Sequence, residues 1–140
     1  MRKTLPFSLR LPPDILKEIR ALAKRSQRPS SYVVSTLIEE GLRQRRCPGI
    51  VFTDGPTGRR ATVAGTGIDV WEVVRVYRVC GEDPETLAHA LPQLSRRQLD
   101  AALHYFRSYP KEIEERLARE ETAEAELSAR FPLVKPYRVS

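Results

Sequence analysis

The sequence has too few metal-binding and thiol residues to be organised by either chemistry. Its 140 residues hold two cysteines and two histidines, and neither type recurs at the spacing of a zinc site or a redox pair. Cys47, in an expected linker, and Cys80, at an expected helix end, are read as free thiols. No apolar run approaches the roughly 18 residues that cross a bilayer. Arg2 and Lys3 are followed by no continuous apolar stretch of the kind that marks a secretory leader, so a cytoplasmic protein with no membrane partner is expected. Seven glycines form no phosphate cradle: Asp54-Gly55-Pro56-Thr57-Gly58 lacks the Gly-Lys-Ser/Thr ending and suits a hairpin turn. His89 and His104 fall on separate predicted helices. No catalytic site, metal or cofactor is expected, and the chain is not read as an enzyme.

Positive charge is in excess, and it is unevenly placed. Lys and Arg number 24 against 18 Asp and Glu, a formal net charge of +6. Met1 to Arg46 carries 11 basic and 4 acidic residues, Cys47 to Pro110 carries 7 of each, and Lys111 to Ser140 carries 6 and 7. An anionic partner is therefore expected for the first third. The length allows one ordinary domain or two very small ones with limited cores, so a second copy is expected to complete the burial.

Thr4 to Leu11 alternates, with Leu5, Phe7, Leu9 and Leu11 on one face of a predicted strand and Thr4, Pro6, Ser8 and Arg10 on the other. No matching strand follows within forty residues, so the partner is expected from another copy. Pro13 and Asp14 open a helix ending near Ser26. Arg28-Pro29-Ser30-Ser31 is a turn with a serine N-cap, followed by a second helix with Val33, Val34, Leu37, Ile38 and Leu42 as its stripe. Arg43 to Pro48 is the expected linker. Short strands at Ile50–Thr53 and Arg60–Val63 then form a hairpin. Helices follow at about Asp69–Val79, Pro84–Leu91 and Ser95–Tyr109, with Asp69, Asp83 and Ser95 as caps. Trp71, Val74 and Tyr77 recur at helical spacing and are read as core. A charged helix runs from Pro110 to about Arg130, with Glu120, Glu121, Glu124 and Glu126 on a solvated face.

A two-stranded ribbon fits the major groove, where each base pair shows its own donor and acceptor pattern. Paired copies of Thr4–Leu11 would present Ser8 and Arg10, helped by Thr4, to base edges. Ser30 and Ser31 at the second helix N-terminus, with Arg28 and Lys3, would hold phosphates. In Phe7-Ser8-Leu9-Arg10-Leu11-Pro12, the Arg28–Ser31 turn and Leu37-Ile38-Glu39-Glu40-Gly41-Leu42, the first third resembles the ribbon-helix-helix family of Arc-, MetJ- and CopG-like repressors. That resemblance implies a homodimer whose strand positions 6, 8 and 10 read bases. Pro6 departs from it, having no polar side chain.

Residues 65–105 carry Gly65-Thr66-Gly67-Ile68, Val70, Gly81, Pro84-Glu85, Leu87, Leu91-Pro92, Leu94, Gln98-Leu99, Ala101-Ala102 and Tyr105. In these they resemble a small helical family catalogued as domain of unknown function 433. Gly67 stands where that family usually has Arg. The resemblance implies an antitoxin-like module of the VapB type, paired with a PIN-domain ribonuclease toxin. The last two helices of this module have a helix-turn-helix outline, which makes Arg96 and Arg97 candidates for a second DNA contact. The tail residues Phe131, Leu133, Val134, Lys135, Tyr137 and Arg138 are candidates for toxin capture, the basic ones by charge complementarity to an acidic nuclease cleft.

The expected fold is mainly α with a short N-terminal β-strand. Its parts are a ribbon-helix-helix dimer module over 1–46, a β-hairpin and three-helix module over 49–110, and a charged helix with an extended tail over 111–140. The expected function is a dimeric, sequence-specific repressor and type II antitoxin whose partners are operator DNA, a second copy, which could assemble further as a dimer of dimers, and a toxin. Three alternatives stand beside it: a free-standing regulator, a dimeric interaction module that binds no DNA, and an enzyme using the Gly65 loop.

Overall fold

Pro12 and Pro13 decide where the first helix begins. A computed structural model gives the fold and describes residues 2–56 and 58–132. Among these residues there are six helices and one hairpin: α1 (Pro13–Ser26), α2 (Ser30–Arg46), β1 (Ile50–Gly55), β2 (Gly58–Val63), α3 (Val70–Val79), α4 (Pro84–Ala90), α5 (Arg96–Ser108) and α6 (Pro110–Arg130). The chain divides into two units, Met1–Arg43 and Gln44–Ser140. No helix among the described residues is long and apolar enough to cross a membrane.

In the first unit, Pro13 and Asp14 occupy the first turn of α1, where a missing N–H costs nothing and a carboxylate meets the positive helix end. Gln27 ends the helix in the left-handed region at φ 55°, and the Arg28 N–H donates to the Ala23 carbonyl at 3.0 Å. Ile19 and Ala23 pack on Val33 of α2, with Leu11 and Val34 at the rim. Around this small cluster Leu5 and Phe7 remain 86% and 85% exposed, and Leu9, Leu37, Ile38 and Leu42 are exposed as well. The expected strand over Thr4–Leu11 is absent from the single chain, whose residues 2–12 carry no strand. A strand needs a hydrogen-bonded neighbour, and this unit supplies none.

Two expectations for α2 are corrected. The Pro29 carbonyl accepts from the N–H groups of Tyr32 and Val33, so Ser30 and Ser31 lie in the first turn instead of forming the cap. The helix also runs on through the expected linker to Arg46, because Gln44, Arg45 and Arg46 are good helix formers and Pro48 is the first breaker. Cys47 is consequently no linker residue. It is fully buried in the second unit, and both cysteines are free thiols.

The second unit starts with the antiparallel β1–β2 hairpin, in register from Ile50↔Val63 to Gly55↔Gly58. Gly58 takes φ +117°, a conformation that L side chains rarely adopt, so a glycine closes this turn. The hairpin and α3, α4, α5 and the start of α6 share one core. Its largest fully buried side chain is Tyr105, whose ring meets Phe52 edge-on at 6.2 Å and Tyr109 at 4.9 Å. Val74 is in this core, and Trp71 and Tyr77 pack half-buried against it. The expected caps stand at their helix starts: Asp69 is the N-cap of α3 in a capping box with Glu72, Asp83 accepts from the Thr86 N–H at 3.0 Å and Ser95 from the Gln98 N–H at 3.1 Å. The Gln98 side chain in turn accepts from the Ser95 N–H, completing a capping box. Ile113 and Leu117 anchor α6; beyond Leu117 the described helix buries nothing, and Leu127 and Phe131 are 50% and 52% exposed.

Ser95→Ala should lower stability by about 1 kcal/mol in urea denaturation, with little change in the slope of the transition. Asp83 should behave differently with pH. The Thr86 hydroxyl and amide hold its carboxyl below the ordinary value, so its contribution is present above the usual carboxylate range and is lost as pH falls through the lowered value. The melting-temperature gap between wild type and Asp83→Ala should therefore be widest near neutral pH and close in acid.

Candidate nucleic-acid interface

The first unit places the expected base-reading residues where solvent reaches them. Thr4, Pro6, Ser8 and Arg10 are all exposed, as are Lys3, Arg28, Ser30 and Ser31. Pro12 ends the segment that carries the first four, and the α1–α2 turn sets the last three. The Arg28 guanidinium lies over the Tyr32 ring, 4.9 Å from its centre, which fixes a positive charge beside the first turn of α2. That first turn has backbone N–H groups with no partner inside the helix. Arg2 pairs with Glu39 of α2, so the start of the arm is tied to its own unit.

In the second unit the charged groups mostly satisfy one another. Arg96 is engaged by Glu85, which raises the guanidinium pKa and lowers that of the carboxylate. Arg97 is exposed beside it. The structure thus takes one of the two expected secondary DNA residues and occupies it with a carboxylate. Across α3 and α6, Arg78 pairs with Glu114 and Arg75 with Glu124, while Arg116 pairs with Glu120 within α6. Arg75 and Arg116 also flank the Trp71 ring at 5.1 and 5.2 Å. Two of the four glutamates expected to be merely solvated are therefore ion-paired.

A polar centre that sequence patterning did not anticipate lies at the start of α3. Asp69, expected only as a cap, is 3% exposed. Its carboxylate accepts from the Thr62 hydroxyl at 3.2 Å and the Trp71 indole N–H at 3.1 Å, and Arg60 approaches it at 3.4 Å. Thr53 and Thr62 hydroxyls share a hydrogen bond of 2.8 Å. The Glu72 carboxylate accepts from the Asp69 N–H at 2.8 Å. The turn at Gly65-Thr66-Gly67 brings Asp69 back to β2, where it bridges Thr62. That glycine-flanked return is the signal from which the cluster was in principle readable. Every described buried side-chain polar atom is satisfied, so Asp69 stitches helix to hairpin.

Residues 50–106 match the family model described as a protein of unknown function, DUF433. The matched segment opens at β1 and closes in α5, and it contains Thr53, Arg60, Thr62, Asp69, Trp71 and Glu72 of the Asp69 cluster. Its description brings no activity with it. No curated protein and no solved structure matches the chain.

His104 receives a structural partner, its Nε2 lying 3.0 Å from the Arg46 carbonyl. No group of His, Cys, Asp or Glu among the described residues is arranged to hold a metal ion. Of the tail candidates, Phe131 follows α6 and is exposed. Leu133, Val134, Lys135, Tyr137 and Arg138 lie outside the described residues.

Asp69→Ala would leave the Thr62 hydroxyl and the Trp71 indole N–H without their acceptor. It should cost roughly 2–3 kcal/mol in urea denaturation. Asp69→Asn, which keeps an acceptor oxygen, should cost less.

Proposed function

We propose that the chain is a homodimeric, sequence-specific DNA-binding regulator in which two copies of residues 4–11 pair as a ribbon in the major groove. The observation that carries this reading is the exposure of Leu5 and Phe7 at 86% and 85% in a unit that, among its described residues, buries only Ile19, Ala23 and Val33. Apolar side chains left out at alternate positions of an extended segment are covered when a second copy supplies both the neighbouring strand and two more helices. Pairing the strands would also satisfy their backbone N–H and C=O groups. On the opposite face Ser8 and Arg10, with Thr4, would then point away from the helices toward base edges. Arg28, Ser30, Ser31 and Lys3 would take phosphates.

The same uncovered face would serve a dimer that never meets DNA. Charge favours the DNA reading: the first 46 residues hold 11 basic and 4 acidic side chains, and a surplus of this kind draws a polyanion.

A gel-shift series with duplex from upstream of the coding region tests the proposal. Arg10→Ala should lose about 1–3 kcal/mol of specific binding, the value of a bidentate contact to guanine, while binding to random duplex stays close to wild type. Equal loss on both duplexes would make Arg10 a phosphate contact, and wild-type protein that prefers no sequence would refute the regulator.

A further inference from the structure

Along one exposed edge, α1 carries a stripe of cations that the proposed ribbon does not use. Ile19 and Ala23 point into the small core. Lys17, Arg20 and Lys24, at steps of three and four residues, share one exposed edge of the same helix. Of the acidic side chains of the helix, Asp14 stands one turn before Lys17 and Glu18 lies further round the helix. Among the described residues no ion pair joins Lys17, Arg20 or Lys24 to a carboxylate. This contrasts with the second unit, where Arg60, Arg75, Arg78, Arg96 and Arg116 each meet one. Like charges at i,i+3 and i,i+4 weaken a helix slightly, so the stripe is a small standing cost in the free protein.

We propose that Lys17, Arg20 and Lys24 form a second, sequence-blind phosphate track that engages duplex flanking the ribbon's site. This rests on the ribbon reading, because the ribbon is what would bring DNA to this unit. The track spans two turns, about 10 Å of helix, enough for consecutive phosphates of one strand. Three free cations on one line recognise a repeating anion and carry no base information. The end of the track leads into the α1–α2 turn, where Arg28 sits over Tyr32.

The test is the salt dependence of binding by the full chain, on a duplex extended about one helical turn beyond the site on each side and on the trimmed site alone. Each phosphate contact released lowers the slope of log affinity against log salt by about 0.9. The triple variant Lys17→Gln, Arg20→Gln, Lys24→Gln should lose about 2 to 3 from that slope on the extended duplex and nothing on the trimmed one, with its preference for the specific sequence intact. An unchanged slope on the extended duplex overturns the track, and so does equal loss on the trimmed one. Stripe-dependent binding to anionic lipid vesicles with an unchanged DNA slope would assign the stripe to a membrane surface and equally overturn it. The three side chains are exposed, and an unaltered circular dichroism spectrum confirms the fold. The two proposals fail separately: the ribbon fails if wild type prefers no sequence, whereas the track fails on the slope alone.

Discussion

Leu5, Phe7 and Leu9 are not buried by their own unit, because α1 and α2 share one narrow face and Ile19, Ala23 and Val33 already fill it. A unit of about forty residues is near the lower limit at which a single core outweighs chain entropy. Each of these side chains is worth roughly 1.5–3 kcal/mol when buried. That shortage governs the N-terminal third: the proposed second copy would relieve it, and the pairing would leave alternate polar residues facing outward. Dimerisation and base reading would then be two faces of the same eight residues.

The second unit solves its stability locally. Its core draws on the hairpin and four helices, and the buried Asp69 carboxylate ties α3 to β2 through Thr62, Trp71 and Arg60. Its arginines are largely consumed by glutamates and aromatic rings. Charge in this unit therefore supports the fold, whereas in α1 it is left available. That division gives a physical reason for the near-neutral composition of residues 47–110 and for placing the proposed DNA contacts in the first unit.

Much of the secondary structure was legible because its signals are local. Pro13, Pro84 and Pro110 each open a helix, Asp83 and Ser95 each cap one, and the glycines and proline of residues 54–58 mark the hairpin turn. Misreadings arose where tertiary context overrode a local cue. The arginine-rich Arg43–Arg46 stretch looks like a linker yet continues α2, and Cys47 is drawn into a core that no nearby pattern announces. The Asp69 cluster was hidden because its members come from two strands and a helix start, and it becomes visible only once the chain returns through Gly65-Thr66-Gly67. The alternation of residues 4–11 was legible, but an alternation in one chain does not itself make a strand.

Backbone hydrogen exchange of residues 4–11, followed as the protein is diluted, tests the central claim most directly. A ribbon shared by two copies predicts slow exchange at alternate amides of this segment at high concentration, with protection lost on dilution while the amides of α3 and α5 stay protected. Exchange of residues 4–11 at the unstructured rate at every concentration would contradict it.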